Sequence, residues 1–263
     1  MDLGLNGKVA LVTAASEGLG FACAARLVLE GCAVAICGRR KDALTLARQR
    51  LSETGAAEIL ALPADLRNAT DIEQLISEVL HEFGRIDILV VNSGHVAYGD
   101  FDGLSDAQWM DACDLLLMSA VRLTRLVLPT MRANNGGDIV FLGSATVREP
   151  PAHLLLSTVM RLGVVGLAKT LARSLAPENI RVNLVAPGYF DAGRVHGRVR
   201  ALMSEKGLAR AEAEAEVSGG LPLGRIGTPD ELAALVAFVA SRKVEFMVGS
   251  TIAIDGGGTR GLF

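Results

Sequence analysis

The chain has 263 residues, half of them hydrophobic, and its 26 basic and 29 acidic residues leave a net charge of −3. The length suits one α/β domain with a large core, and the balanced charge without a long basic run argues against a nucleic-acid surface. The four cysteines form no CxxC pair and none lies beside a histidine at metal-ligand spacing. They predict buried thiols in a reducing compartment and no metal site.

The amino-terminal sequence MDLGLNGKVA lacks the basic region and the long apolar core of a signal peptide. No uncharged run along the chain reaches the length of a membrane span. We therefore expect a cytoplasmic protein without membrane association.

The first patterned stretch is KVALVTAASEGLGFACAARLVL, residues 8–29. Val9–Thr13 is apolar and β-branched, as in a strand that is covered on both faces of a parallel sheet. Gly18 and Gly20 have no Cβ, so a dinucleotide pyrophosphate could approach the backbone closely. The amides at the start of the next helix would then face the anion. A glycine loop alone is a weak signal, because many such strings are simple turns.

A second strand, Ala33–Cys37, and a helix over Asp42–Glu53 follow and complete a βαβ unit. In a nucleotide site the tip of this strand faces the adenosine ribose, where a carboxylate would favour NAD. Here the tip carries Arg39 and Arg40, which favours NADP(H), with Arg39 clamping the 2′-phosphate. The alternative is a pair of solvated arginines at a strand end, and Glu17 adds negative charge near the anion.

Strand and helix patterns then alternate along the remainder of the chain. Further strands are predicted at Ile59–Leu62, Ile86–Val91, Asp138–Gly143, Ile180–Ala186 and Thr251–Asp255. Further helices are predicted from a cap at Thr70 or Asp71 to Phe83, from a cap at Ser105 or Asp106 to about Met131, and over Ser157–Leu175. This alternation predicts a Rossmann-like, doubly wound parallel sheet of seven strands in a single domain, 1–263.

The alternation loosens between Pro187 and Thr228, where glycines flank a segment rich in helix formers. Long insertions after the carboxyl ends of parallel strands are where such sheets hold substrates. We therefore expect a substrate lid at about 188–228.

Four motifs together are specific for one family. They are Thr13-Ala14-Ala15-Ser16-Glu17-Gly18-Leu19-Gly20, Asn92-Ser93-Gly94, Ile180-Arg181-Val182-Asn183 before Pro187-Gly188, and Asp255-Gly256-Gly257. On these motifs nearly the whole chain resembles the short-chain dehydrogenase/reductase family, close to its 3-oxoacyl-carrier-protein reductase branch.

The resemblance implies a dinucleotide lying across the carboxyl ends of the strands, and a homodimer or homotetramer built on two long helices and the last strand. The residues it implies for cofactor binding are Thr13, Ser16, Gly18, Leu19 and Gly20 in the glycine loop, Asp65 and Leu66 beside the adenine, Asn92 and Gly94 on the path to the nicotinamide, Arg161, Pro187 and Gly188.

The chain departs from the family at the catalytic positions. The family's catalytic set is Asn, Ser, Tyr and Lys. Thirteen residues beyond Ser144 the tyrosine position holds Ser157, and the lysine position holds Arg161. The asparagine position holds Leu116, so only Ser144 remains. Ala192 stands where the family has the threonine that would hold the nicotinamide carboxamide.

These substitutions change the acid available to a reduced carbonyl oxygen. The family's tyrosine has a phenol whose pKa, near ~10 when unperturbed, is lowered by the adjacent ammonium. Ser157 is a much weaker acid and shorter by a ring, while Arg161 keeps a positive charge but cannot release a proton. Leu116 removes a polar group that would fix a proton-relay water, so we expect a drier, more apolar pocket.

Other groups could supply the proton. His95 and His153 lead, because histidine titrates near neutrality, ahead of Tyr98 and Tyr189 on loops expected to rim the pocket. For each of these four residues the alternative is a structural role, either in the wall of the pocket or in anchoring a loop.

Three functions stay open. The first is an NADP(H)-dependent oxidoreductase for an apolar ketone, alcohol or acyl/polyketide-like substrate, in which Ser144 and Ser157 donate to the substrate oxygen and Arg161 supplies charge. The second is a non-redox cofactor-binding regulator or pathway partner on the same fold. The third is a non-redox step such as dehydration or cyclisation.

Overall fold

A parallel sheet of seven strands, in the order β3-β2-β1-β4-β5-β6-β7, forms the centre of the computed structural model, which describes residues 1–261. The strands are β1 (Val9–Val12), β2 (Ala33–Gly38), β3 (Ile59–Pro63), β4 (Ile88–Val91), β5 (Gly137–Leu142), β6 (Ile180–Pro187) and β7 (Thr251–Ile254). Every neighbouring pair is parallel. The predicted single-domain, doubly wound sheet is confirmed.

Helices cover both faces of the sheet. They are α1 (Gly18–Leu29), α2 (Lys41–Thr54), α3 (Ala69–Phe83), α4 (Asp106–Ala112), α5 (Ser119–Ala133), α6 (Leu155–Leu175), α7 (Gly193–Lys206), α8 (Arg210–Ser218) and α9 (Pro229–Ala240). One core lies between the sheet and α3, α5 and α6, and the second lies between the sheet and α1, α2 and α9.

The strand β1 shows why the sequences of the central strands are apolar at every position. Its four residues are all buried, with Leu11 in the core beneath α3, α5 and α6 and Ala10 and Val12 in the core on the other face. Successive side chains of a strand point to opposite faces, so a strand with helices on both sides has no polar face.

The cap predicted for α3 was wrong. The helix begins at Ala69, and Asn68 is its N-cap, whose side-chain oxygen accepts from the amide of Thr70 at 2.9 Å. Asn is as strong a cap as Asp or Thr, and neither Thr70 nor Asp71 holds that position. The cap of α4 is Ser105, which forms a capping box with Gln108 as Ser/Thr-x-x-Gln sequences do.

The long helix predicted up to Met131 is interrupted by a π-helical turn, Cys113–Met118, between α4 and α5. Leu115 and Leu116 are buried within this turn, and the Ser119 hydroxyl donates to the Leu115 carbonyl oxygen at 2.6 Å. Such wide turns are rare and concentrate at functional sites. Leu116 therefore occupies a part of the helix with non-standard geometry.

The excursion at 188–228 contains α7 and α8. Val195, Val199 and Leu202 of α7 pack with Ala213 of α8 in a small cluster separate from the two main cores. Because this cluster is small, we expect the pair of helices to move more readily than the sheet.

The segment Leu155–Glu178, which contains α6, is long and apolar enough to cross a bilayer by length and composition alone. This test is weak, because core helices also pass it. In the fold, α6 buries Leu156, Val164 and Ala168 in the core beside the sheet.

Candidate active site

A cleft of about 1520 Å³ runs along the carboxyl ends of the strands. Residues at or just beyond the carboxyl ends of six strands line it, namely Ala14, Gly38, Ala64, Asn92, Gly143 and Pro187. Segments from α7, from the loop before α9 and from the chain beyond β7 form the opposite wall. This is the edge at which open parallel sheets bind ligands.

The glycine loop forms a tight backbone cradle. A Cβ on Gly20 would lie 2.6 Å from the Ala14 carbonyl oxygen and 2.6 Å from Asn92 Nδ2, so only glycine fits there. Gly18 has φ +63° and Ala14 has φ 46°, both in the left-handed region. Gly18 and Leu19 line the cleft, whereas Gly20 does not, so the predicted contact of Gly20 with the cofactor stays a prediction. Gly20 lets α1 approach the loop after β1.

Thr13, which the resemblance implies for cofactor binding, makes hydrogen bonds between two loops. It is fully buried and does not line the cleft. Its hydroxyl donates to the Asn92 carbonyl oxygen at 2.6 Å and accepts from the Asn92 amide at 2.9 Å. Asn92 Nδ2 in turn donates to the Ala14 carbonyl oxygen at 3.0 Å. Thr13 therefore joins the loop after β1 to the loop after β4.

The tip of β2 places both arginines on the cleft surface beside Ser16. Arg40 Nη2 lies 3.1 Å from Glu17 Oε2 in an exposed ion pair, a contact worth about 0–1 kcal/mol. Arg39 has no hydrogen bond or ion pair with the residues that the structure describes. Of the two arginines, Arg39 is therefore the one whose guanidinium group is available to bind an anion.

Arg67 fixes the wall at the far end of the cleft. Asp65, Leu66 and Arg67 line it in sequence after β3. Arg67 donates through Nε and Nη2 to the two carboxylate oxygens of Asp111, at 2.5 and 3.1 Å. These hydrogen bonds hold the pKa of the Asp111 carboxyl below its usual range.

Ser144 lies at the end of β5, lines the cleft, and is 7% exposed. Its hydroxyl oxygen accepts from the Thr146 hydroxyl at 3.0 Å and from the Thr146 amide at 3.3 Å. Thr146 also lines the cleft. The sequence prediction missed Thr146, although a second hydroxyl residue only two positions beyond Ser144 was the available signal.

The side chains at the tyrosine and lysine positions contact each other. Arg161 Nε donates to Ser157 Oγ at 3.2 Å, and Arg161 Nη1 donates to the carbonyl oxygens of Leu142 at 2.8 Å and Gly143 at 3.0 Å. Arg161 lines the cleft. Ser157 is 2% exposed and is not among the residues that line the cleft, so its predicted contact with a substrate oxygen stays a prediction. Its short side chain stays within the packing around α6.

A cavity of about 10 Å³ lies behind the cleft, bordered by Ser93, Leu116 and Arg161 among others. It has room for one water molecule at most. Leu116 contributes an apolar wall, so this cavity offers a water few polar partners.

The two candidate histidines lie in different environments. His95 lines the cleft and is exposed, and its Nε2 lies 3.4 Å from the position a Cβ on Gly193 would take. His153 lies in an exposed turn before α6 and is not among the residues that line the cleft, so its catalytic role stays a prediction. The sequence prediction also missed His196, whose Nε2 lies 2.6 Å from Asp191 Oδ1 at the cleft wall formed by α7.

Of the remaining predicted residues, Gly94, Pro187, Gly188 and Tyr189 line the cleft, whereas Tyr98 does not. Within residues 1–261, no group of three or more His, Cys, Asp or Glu side chains could hold a metal ion.

Comparison with known proteins gives a consistent assignment. The family model described as enoyl-(acyl carrier protein) reductase matches residues 13–259. Dehydrogenase/reductase SDR family member 4 of Caenorhabditis elegans is 34% identical over 256 residues, which cover 96% of this chain and 95% of the relative. The chain belongs to the short-chain dehydrogenase/reductase family.

Two further relatives show what this short-chain dehydrogenase/reductase resembles. The 3-oxoacyl-[acyl-carrier-protein] reductase of Salmonella typhimurium is 31% identical over 255 residues, covering 97% of this chain and 98% of the relative. The crystal structure of L-sorbose reductase from Gluconobacter frateurii, complexed with NADPH and L-sorbose, superposes with a TM-score of 0.96 at 31% identity over 100% of both chains. The predicted family is therefore confirmed.

Proposed function

We propose that this short-chain dehydrogenase/reductase is an NADP(H)-dependent oxidoreductase that interconverts a carbonyl and an alcohol at an atypical site without the Tyr–Lys pair. One observation carries the proposal. A single cleft is lined at one part by the glycine loop, through Gly18 and Leu19, and at another by Ser144 and Arg161. Gly18, with φ +63°, and Leu19 lie on the cleft at the start of α1, which fits a dinucleotide phosphate held by backbone amides.

When bound, NADPH supplies a hydride to the carbonyl carbon. Ser144 donates a hydrogen bond to the substrate oxygen, and the Arg161 guanidinium adds fixed positive charge without releasing a proton. His95 or water supplies the proton. Without a positioned tyrosine acid we expect turnover that is slower by roughly 10² to 10⁴.

The preference for NADP(H) over NAD(H) rests on Arg39 and Arg40, because the tip of β2 carries no carboxylate that would repel a 2′-phosphate. The L-sorbose reductase relative is a complex with NADPH, which supports the same preference.

For the substrate we propose a small, largely apolar ketone, alcohol or acyl compound. Leu142, Pro150 and Leu154 line the cleft on the side of Ser144. L-Sorbose, a polar sugar bound by one relative, is the contrasting candidate for the same test.

We further propose a cytoplasmic homodimer or homotetramer. Met110 of α4 and Val159 and Leu162 of α6 are exposed apolar side chains, and Phe246 before β7 is fully exposed. Exposed large apolar side chains favour association between copies of the chain, which light scattering coupled to size-exclusion chromatography would measure.

A second candidate function is a cofactor-binding protein without turnover, acting as a regulator or pathway partner. The contact between Arg161 and Ser157 favours it, because it occupies both substituted side chains within the protein. The third candidate, a dehydration or cyclisation, finds no specific support in the contacts of residues 1–261.

The test is NADPH oxidation with a panel of aliphatic ketones, quinones, 3-oxoacyl thioesters and L-sorbose. We expect slow turnover of at least one class, and a loss of about 10²-fold in kcat/KM for Ser144→Ala, as for removal of one oxyanion donor. Ser52→Ala, an exposed helical serine on α2, is the matched control. NADPH binding without turnover would favour the second candidate, and absence of binding would contradict both.

A further inference from the structure

The hydroxyl of Ser144 is oriented by one neighbour. Its oxygen has two lone pairs, and the hydroxyl and the amide of Thr146 donate to it at 3.0 and 3.3 Å. With both lone pairs engaged, Ser144 can make one more strong hydrogen bond, as a donor. Because Ser144 lines the cleft, that proton is available to a ligand oxygen there.

Neither the tyrosine position nor the asparagine position of the family's catalytic set supplies a comparable hydroxyl donor. Ser157 is buried, lies off the cleft, and accepts from Arg161 Nε. Leu116 is apolar. The loss of the tyrosine hydroxyl therefore leaves the Ser144 hydroxyl as the oriented hydroxyl donor of the set, beside the fixed positive charge of Arg161.

We propose that Thr146 is a positioning residue that holds the Ser144 hydroxyl as a hydrogen-bond donor to the substrate oxygen. The inference rests on the proposed oxidoreductase function. In the balanced reaction the carbonyl carbon gains a hydride from NADPH, the C=O π pair moves to oxygen, and that oxygen takes one proton from His95 or water. Ketone, NADPH and H⁺ give alcohol and NADP⁺, and the Ser144 hydrogen bond stabilises the charge that develops on oxygen.

Two substitutions isolate the hydroxyl of Thr146, and a third serves as their control. Thr146→Val keeps the shape and removes the donor, whereas Thr146→Ser keeps the donor. Thr124→Val is the matched control, because Thr124 is buried and its hydroxyl has no hydrogen-bond partner. Each variant is assayed for kcat, for KM, and for the NADPH dissociation constant by fluorescence titration.

We expect Thr146→Val to lower kcat by about 10- to 100-fold, somewhat less than loss of an oxyanion donor itself, while KM and the NADPH dissociation constant stay within about threefold. Thr146→Ser should recover most of the lost kcat, and Thr124→Val should behave as the wild type. The Ser144→Ala, Thr146→Val double variant should be no slower than Ser144→Ala alone, because residues that act through one another are not additive.

The possible outcomes separate the two proposals. Wild-type turnover together with an unaffected Thr146→Val overturns the positioning role alone. Full additivity in the double variant also overturns it, because Thr146 would then act independently of Ser144. A wild-type protein that turns over no substrate overturns the oxidoreductase and the role of Thr146 together. If Thr146→Val does not bind NADPH, Thr146→Ala is assayed in its place and interpreted by the same criteria.

Discussion

Arg161 Nε donates to Ser157 Oγ at 3.2 Å, so the two side chains that replace the family's tyrosine and lysine bind each other. The same guanidinium donates to the carbonyl oxygens of Leu142 and Gly143 at the end of β5. In this chain Arg161 therefore stabilises the strand end that carries Ser144.

Arg161→Met should lower the free energy of unfolding by about 1–3 kcal/mol, because two carbonyl oxygens lose their donor. Urea denaturation followed by circular dichroism measures the change. Arg198→Met is the control, since Arg198 is an exposed α7 residue whose ion pair with Glu205 is 3.9 Å long. An unchanged midpoint for Arg161→Met would show that its hydrogen bonds are weak.

Restoring the family's pair should raise activity. The Ser157→Tyr, Arg161→Lys double variant places a phenol beside an ammonium that lowers its pKa, and we expect kcat for ketone reduction to rise at least about tenfold. The Ser157→Phe, Arg161→Lys variant has the same ring without the acid and should show no gain. Equal rates for the two variants would count against a catalytic use of the phenol.

Gly20→Ala should weaken NADPH binding at least tenfold (about 1.4 kcal/mol) and lower the melting temperature. Its Cβ would be placed 2.6 Å from the Ala14 carbonyl oxygen and from Asn92 Nδ2, forcing α1 away from the loop. Gly197→Ala in α7 is the matched control, because nothing lies within 4 Å of its Cβ position. Calorimetric titration with NADPH compares them, and equal affinities would exclude the steric argument.

Substitutions of Arg39 and of Glu17 should change the affinity for NADPH in opposite directions. Arg39→Ala should weaken NADPH binding by about 10-fold or more and leave NADH nearly unchanged, because a guanidinium–phosphate contact is lost. Glu17→Gln should strengthen NADPH binding by a few-fold, since it frees Arg40 from the ion pair at 3.1 Å. Both effects should shrink as salt is added. Equal losses for NADPH and NADH in Arg39→Ala would contradict a 2′-phosphate contact.

Glu231 should contribute stability that depends on pH. Hydrogen bonds from Arg225, and then from Thr228 at the start of α9, lower the pKa of its carboxyl from 4.5 to about 2. The folded pKa lies below the unfolded one, so this contribution is present above about pH 4.5 and is lost as the pH falls towards about 2.

Glu231→Gln should therefore reduce the slope of stability against pH in that window, measured by urea denaturation at a series of pH values. Glu73→Gln on α3 is the control, because Glu73 is exposed and has no hydrogen bond with the described residues. A wild-type slope in Glu231→Gln would mean that other carboxyls dominate acid unfolding.

Much of the fold was predictable because its signals are local. Apolar runs such as Val9–Val12 and the glycine loop specify strands and a turn without knowledge of their neighbours. The start of α3 was missed because three polar residues within four positions, Asn68, Thr70 and Asp71, could each cap a helix. The π-helical turn around Leu116 was also missed, since nothing in the hydrophobic pattern distinguishes it from a continuous α-helix.

The candidate site was less predictable, because side-chain direction depends on tertiary packing. The substituted positions could be located by counting from Ser144, yet Ser157 lies within the protein and Thr146 beside the serine hydroxyl. Whether His153 lies near Ser144 depends on the turn before α6, which its position in the sequence does not determine.

The hydrogen bonds between Thr13 and Asn92 have a mechanical consequence. One hydroxyl donates to and accepts from the backbone of Asn92, and Asn92 Nδ2 binds the loop after β1. Neither loop can shift by a large fraction of an ångström without breaking bonds to the other. The pyrophosphate and nicotinamide portions of a dinucleotide would therefore contact a single rigid body. A mutation that loosens one loop should weaken the contacts of both portions of the cofactor.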